Sequence, residues 1–571
     1  MLRKFLYILP IGLIGFISCK KTLDINTDPN NPTTISISKL LPAAVQNLGN
    51  ALAIGNGTYG GLSQILSVYT HQMSTREEPD VYGVTGNDFY LANAWSTFYQ
   101  SFVNSSGILT PGVLNNLEQI IKDATASGNP RYAGIAKILK AYTYSQLVDV
   151  FGDIPYSEAI KLIEGNKYPK FDNDAEIYPQ LFTLLDEGIA DVSKPDAENT
   201  LLPGSDDVIY KGDADLWVKA ANTIKLKMYT QVRLVQDVSA QVTALLTGPL
   251  ISATNESFIV PYGTKGATDD RNPGYGDYYA TQKSNHVSPW LYEIMKGKNP
   301  AVLTGINDPR IPYYIYNQID ATSAPRDGNQ TEYRDGPFIS LYFGSVGQFR
   351  DGAQDNSISV YGIYPVGGKF DDSSAETVND ASGSGAAPYR LITYADRLYL
   401  EAELMKTGVI AGDAKAKFEE AMVESFMQVD YVVKDLIKDA APALSGTAAV
   451  SSYTSAVLAK YDAGNDAKKL EYIMTEKWLS SFGSAVDQYT DYRRTGYPVL
   501  FDPNNPSQAP NHFVQPPVDG DPVNPGAQAA VPVQLTVDYP LSLPWYTDEL
   551  ETNPNAPSQK LVSTYKVFWM P

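Results

Sequence analysis

The spacing of apolar positions divides the chain into helical blocks and blocks with no helical face. Ile135, Ile138, Leu139 and Tyr142 fall at offsets 0, 3, 4 and 7, so they share one face of an α-helix. Trp217, Ala220, Ala221, Ile224 and Met228 repeat the pattern, and Asp213 stands where an N-cap is needed. Leu391, Tyr394, Ala395, Leu398, Ala402 and Met405 predict a helix of four turns. Gly408 closes it, and Asp413 can cap the next helix, which carries Phe418, Ala421 and Met422. Helices joined by so short a link run antiparallel, which predicts a helical hairpin of tetratricopeptide type. No clean period of about 34 residues accompanies it. A later face holds Leu470, Ile473, Met474, Trp478 and Phe482.

Between these blocks the pattern stops. Residues 255–390 are rich in Gly, Asp, Asn and Tyr, and residues 498–544 hold eleven prolines, which exclude regular helix and central strand. Stretches of that length are too long for simple connectors. The predicted fold class is mainly α, a helical hairpin scaffold carrying a large loop-rich elaboration.

The N-terminus follows another rule. Arg3 and Lys4 precede a 12-residue apolar run, Phe5 to Phe16, which is too short to span a bilayer and contains Pro10, Gly12 and Gly15. Ser18 then precedes Cys19, the single cysteine of the chain. The layout predicts a secretory signal peptide over 1–18. "FISC" resembles the lipobox of bacterial lipoproteins, with Phe16 where Leu is more usual. Cys19 is therefore the expected lipid anchor, followed by a polar tether over 19–38 and a body over 39–571.

Composition narrows the function. With 571 residues and 43% hydrophobic content the chain can bury a large core. A net charge of −20 excludes a nucleic-acid binder, which needs clustered Lys and Arg. Tyr outnumbers Phe by 39 to 19, a surplus suited to half-wet surfaces, to partner interfaces and to packing at helix seams. Catalytic signatures are scarce. His71, His286 and His512 stand far apart, and neither H-E-x-x-H nor G-x-S-x-G occurs. Gly55, Gly57 and Gly60 match G-x-G-x-x-G but follow a helical pattern, not a strand, so a turn is expected there. Asp24, Asn26 and Asp28 open like a calcium loop, yet Pro29 and Ile35 occupy the positions that need Gly and Glu. No metal and no cofactor is predicted.

Several segments then line up in order: "LDINTDPNNPT" after Cys19, "RYAGIAKILKAYTYSQLVDVFGDIPYSEA" at 131–159, "DVIYKGDADLWVKAANTIKLKMYTQVRL" at 207–234, "NDPRIPYY" at 307–314, "YRLITYADRLYLEAELMKTG" at 389–408 and "EKWLSSFGSAVDQYTDYRRTGYPVL" at 476–500. Together they resemble the SusD/RagB-like outer-membrane lipoproteins, over nearly the whole mature chain. One departure is "CKKTLDIN", basic where many such proteins are acidic after the lipidated cysteine. The resemblance implies a largely helical fold with tetratricopeptide-like hairpins, and a lipid anchor in the outer membrane. It further implies an oligosaccharide or peptide ligand, a SusC-like TonB-dependent transporter as partner, and no catalysis. Ligand contacts cannot be carried over by position. The residues themselves offer Tyr275, Tyr278, Tyr279, Trp290 and Tyr292 with Arg271 and Asp277 as a candidate ligand site. Sugar C–H faces stack on such rings while charged and amide groups bond the hydroxyls. Phe89, Tyr90, Trp95 and Tyr99 form an earlier candidate, although Trp95 and Tyr99 lie four apart and can share a helix face in the core. Asp149, Gly152, Asp153 and Pro155 are assigned to the fold. The rival readings are a surface-anchored glycoside hydrolase and a purely structural lipoprotein.

Overall fold

The computed structural model describes residues 35–571 apart from 56–59, 76–79, 101, 104–108, 266–268, 281–282, 327–329, 351–355, 363, 365, 372–377 and 380–384. Cys19, the leader, Asp24, Asn26, Asp28, most of the expected tether and Gly57 lie outside the described residues.

Antiparallel helix pairs form the scaffold. Val113–Ala126 pairs with Pro130–Phe151, and Asp174–Val192 with Ala214–Val232. Tyr394–Lys406 pairs with Ala414–Tyr431, and Ala448–Ala463 with Asp466–Ser480. The helix starts are where short polar side chains can satisfy orphan backbone N–H groups. Asp213 accepts from the Leu216 N–H at 3.1 Å, and Asp413 accepts from Lys415 and Ala416. Gly408 leaves the third pair's first helix at φ 76°, a left-handed turn that suits a residue without Cβ.

Two sequence expectations are corrected. Leu391 is not in a helix; it lies in the strand Tyr389–Ile392, which pairs antiparallel with Phe258–Val260. The helix begins only at Tyr394, because Thr393 and Asp396 close a reciprocal capping box. Phe482 also lies beyond its helix, which ends at Ser480, and stacks on Tyr314 at 4.1 Å and Tyr361 at 3.9 Å.

Where Pro130–Phe151 crosses Asp174–Val192 the backbones meet at Gly134 and Gly188. A Cβ on Gly134 would stand 2.7 Å from the Gly188 carbonyl oxygen and from the Val192 nitrogen. Elsewhere buried charges are paired. Arg494 donates to Glu403 (2.9 Å) and Asp491 (2.8 Å), and Arg233 meets the same Glu403 at 2.9 Å. Arg310 is held by Asp308 at 2.6 Å and Glu476 at 2.9 Å. Asp149 of the "DVFGDIPYSEA" segment is fully buried and accepts from Tyr178, Gln231 and Trp569, at 2.8, 2.9 and 3.0 Å. Gly152 follows at φ 72°, where the long helix stops. These residues hold the fold together.

The loop-rich part carries short strands. Met73–Ser74, His286–Val287, Val360–Tyr361 and Ile315–Tyr316 form one antiparallel sheet in that spatial order. Over 255–390 the described helices have at most seven residues, and over 498–544 only a 3₁₀ turn and a two-stranded pair interrupt the irregular chain. No described helix is long and apolar enough to cross a membrane.

Candidate ligand-binding site

The seven residues singled out from the sequence do not converge on one cavity. Arg271, Tyr275 and Tyr279 do come together: the guanidinium lies 5.6 Å from the Tyr275 ring centre and 5.1 Å from that of Tyr279, and donates to the Tyr279 hydroxyl at 2.7 Å. Asp269 completes the corner by an ion pair at 2.5 Å. Asp277 points the other way and ties its own loop, accepting from the Ser284 and Asn285 backbone at 2.9 and 3.0 Å. Tyr278 packs edge-on against Tyr275 at 5.4 Å and Tyr316 at 5.3 Å, with its ring buried between them. Trp290 and Tyr292 sit on the helix Pro289–Met295 and face a different aromatic seam. Trp290 donates to the Val499 carbonyl at 3.0 Å, and Tyr292 stacks on Phe338 at 3.8 Å with its hydroxyl on Asp335. Six of the seven are buried, and Tyr279 is half-buried. In the earlier segment, Trp95 is fully buried and packs on Tyr99 at 5.0 Å and Phe151 at 5.2 Å, so that pair is core. Phe89 is exposed, with Tyr90 against it.

The structure offers a cleft that the sequence reading did not anticipate. One wall is the loop 82–87; the other is built from Asn504, 535–538 and the C-terminal segment 547–563. The cleft has two lobes, of about 570 and 530 Å³, which share Thr85. Each lies within the roughly 300–1,000 Å³ typical of small-molecule sites.

Local chemistry fixes both walls. Tyr82 enters an aromatic cluster, with ring centres 5.2 Å from Tyr69, 5.0 Å from Tyr539 and 4.8 Å from Phe343. Its hydroxyl meets His71 Nε2 at 2.9 Å. Burial pushes the His71 ring down to about 3, so it is neutral at physiological pH. Val81 and Tyr82 both hold positive φ, 52° and 60°, a costly conformation for a β-branched residue that the surrounding contacts enforce. Just before them Asp80 is buried, and burial raises its carboxyl to about 6 against the opposing pull of Arg350. Asp88 ends the loop by capping the helix Phe89–Tyr99, accepting from Tyr90 and Leu91. Gly86 touches the opposite wall: the Thr547 N–H donates to its carbonyl at 3.0 Å, and a Cβ there would stand 2.4 Å from Thr547 Oγ1 and 2.6 Å from the Trp545 carbonyl oxygen. Trp545 in turn donates to the Asp153 carbonyl at 2.8 Å and packs on Phe171. The turn at 149–155 is thereby tied to the segment that leads into Thr547.

The lining is rich in hydroxyls and amides: Thr85, Asn504, Thr536 and Ser563 in one lobe, Asn87, Thr547, Ser558 and Gln559 in the other. Asp538 and Glu551 add carboxylates, and among the described residues no Lys or Arg lines either lobe. Exposed Val537 and Leu561 add apolar surface to the first lobe. Such a cleft suits a neutral, hydroxyl-bearing ligand with apolar faces, and its carboxylates repel an anionic one. Among the described residues no group of three or more His, Cys, Asp or Glu is arranged to hold a metal.

The comparisons with known proteins agree with this architecture. The SusD-like family described as "Starch-binding associating with outer membrane" matches residues 29–518. Among curated proteins no sequence matches the chain. Among solved structures, a chitin-binding protein is 19% identical with a TM-score of 0.60, over 91% of this chain and 95% of its own. A SusD/RagB family protein from Bacteroides thetaiotaomicron is 19% identical with a TM-score of 0.62, over 94% and 99%. A SusD homolog from Parabacteroides distasonis is 17% identical with a TM-score of 0.62, over 93% and 98%. At these identities the solved structures establish the mainly α, SusD-like fold, and the extent of the family match settles membership: the chain belongs to the SusD-like family, described as starch-binding and associating with the outer membrane.

Proposed function

We propose that this protein is a lipid-anchored, non-catalytic nutrient-binding protein that takes a neutral oligosaccharide into the cleft between 82–87 and 535–563. In this reading it delivers the sugar to a SusC-like TonB-dependent transporter of the outer membrane. The observation that carries the proposal is the cleft itself, two adjoining lobes lined by hydroxyl, amide and carboxylate groups and, among the described residues, by no Lys or Arg. The family's description as starch-binding and the chitin-binding relative support a glycan over a peptide. Tyr279, half-buried beside Arg271, is the one residue of the 271–292 cluster proposed to keep surface for a ligand. Cys19 carries the lipid in this reading, after removal of 1–18, and the tether places the body at the outer face of the membrane.

The transport arm is tested by isolating the lipidated protein from native outer membranes and identifying what accompanies it by mass spectrometry. A TonB-dependent barrel in near-equal amount supports delivery; the protein alone breaks it. Release of shortened products from an oligosaccharide, lost on Asp538→Asn or Glu551→Gln, would instead make the protein a surface-anchored glycoside hydrolase.

A further inference from the structure

The loop 156–170 is tied down by hydrogen bonds, yet it turns apolar side chains to solvent. Its base is closed by the strands Ile154–Pro155 and Phe171–Asp172, which pair antiparallel. Glu158 turns inward and accepts from the Asn166 side chain at 3.2 Å and the Lys170 N–H at 3.1 Å. The Glu164 and Asn166 N–H groups both donate to the Lys161 carbonyl, at 3.1 and 3.0 Å, which winds one tight turn. From outside the loop, Asn553 donates to the Pro169 carbonyl at 2.7 Å and Asn555 to the Tyr168 carbonyl at 2.6 Å. On the turn Leu162 is 67% and Ile163 92% exposed, and Tyr168 is exposed beyond them. Ile163 is the most exposed large hydrophobic side chain among the described residues.

Charge sets this tip apart from the rest of the surface. Lys170 pairs with Asp172 at 3.1 Å, whereas Lys161 and Lys167 meet no carboxylate within 4.0 Å among the described residues. Lys161 donates to the Ser157 carbonyl at 2.7 Å, and Lys167 lies 5.1 Å from the Tyr168 ring centre. Over the loop, Lys161, Lys167 and Lys170 stand against Glu158 and Glu164, while the chain as a whole carries −20. Single exposed aliphatic residues are ordinary on a protein surface. An adjacent pair on a held turn, edged by a tyrosine and lysines, is the pattern of a segment that dips into a lipid interface. The aliphatic tips leave water, the tyrosine sits at headgroup depth, and the lysine stems reach back to the phosphates. Interfaces between proteins are instead depleted of lysine. Anionic headgroups repel the remaining acidic surface, which favours contact through this loop. A lipid surface is also at hand, since the family is described as associating with the outer membrane and no described helix is long and apolar enough to cross one.

We infer that the loop 156–170 is a membrane contact in its own right, in which Leu162 and Ile163 insert between phosphate-bearing lipid headgroups and Lys161 and Lys167 pair with the phosphates. A lipid on a polar tether holds a protein at a membrane without orienting it; a contact through the body limits how the body turns. The loop shares no residue with the lining of the ligand cleft.

The test uses the mature chain with Cys19→Ser, which carries no lipid, so its outcome is separate from that of the anchor reading. Flotation is measured with vesicles of phosphatidylethanolamine and phosphatidylglycerol, and with vesicles of phosphatidylcholine alone. The chain is expected to float with the anionic vesicles and much less with the neutral ones. Leu162→Ser combined with Ile163→Ser lowers the partition coefficient by about tenfold or more. Lys161→Gln and Lys167→Gln each lower it by about fivefold at low salt, and Glu164→Gln raises it. These positions are all exposed, so circular dichroism and melting stay as in the unsubstituted chain. No flotation of that chain, equal flotation with both vesicles, or flotation unchanged in the Leu162→Ser, Ile163→Ser variant overturns the inference. Loss of a co-isolated barrel from native outer membranes in the lipidated double variant, with vesicle binding unchanged, overturns it in favour of a protein partner.

Discussion

Replacing Glu403 by Gln tests how the helical scaffold is held. Glu403 is fully buried on the helix Tyr394–Lys406 and faces Arg494 and Arg233. Burial by itself would raise its carboxyl, but the two guanidinium groups outweigh that and hold it at about 2, against an ordinary 4.5. The difference between those two values corresponds to roughly 3–4 kcal/mol of stability tied to the charged form. A second route gives a similar size: removing one partner of a buried ion pair costs about 3–5 kcal/mol, because the remaining charges stay buried. Glu403→Gln is therefore expected to lose about 3 kcal/mol or more in urea unfolding at pH 7, with an unchanged denaturant slope. The pH dependence has a definite sign. A depressed carboxylate stabilises the fold fully above its unfolded value and loses that contribution as pH falls through its folded value. The gap between wild type and variant should be complete above about pH 4.5 and should close toward pH 2. A cost below about 1 kcal/mol at pH 7, or a gap that does not change over that window, would refute the reasoning.

Other perturbations probe different links. Gly134→Ala places a methyl group against the Gly188 carbonyl and the Val192 nitrogen, and should destabilise by about 1–3 kcal/mol in the same unfolding assay. Gly86→Ala forces a Cβ into Thr547 and Trp545, so it should part the cleft walls and weaken oligosaccharide binding in calorimetry while helical circular dichroism is retained. Tyr279→Ala should weaken oligosaccharide binding several-fold if its open face meets the ligand; unchanged affinity would remove the 271–292 cluster from the site.

The scaffold was legible because its helices announce themselves twice, in the apolar period and in the caps. Asp213 and Asp413 stand one residue before their helices, as read. Leu391 misled because its offset fits both a helix face and a buried strand, and only the capping box at Thr393 separates the two. The tyrosine surplus was harder to read. Tyr275 and Tyr278 do pack edge-on at 5.4 Å, yet Tyr292, close in sequence, sits on the helix Pro289–Met295 and stacks on Phe338 instead. Burial, which decides whether a tyrosine packs or binds, is a property of the assembled fold. The cleft was invisible for the same reason: Thr85 and Ser563 come from opposite ends of the chain. The available signal was coarse, a proline-rich stretch at 498–544 too long for a connector, and it marked one wall only through Asn504 and 535–538.

The most direct measurement is isothermal titration of the mature protein with neutral malto- and chito-oligosaccharides, comparing the wild type with an Asn504→Ala, Asp538→Ala double variant. Losing two hydrogen-bonding side chains from the cleft should weaken binding by at least about tenfold without lowering the melting temperature. Saturable binding that falls in this way would place the sugar between 82–87 and 535–563. Binding that is unchanged in the double variant, or that is seen for acidic sugars or peptides and not for neutral glycans, would contradict the account.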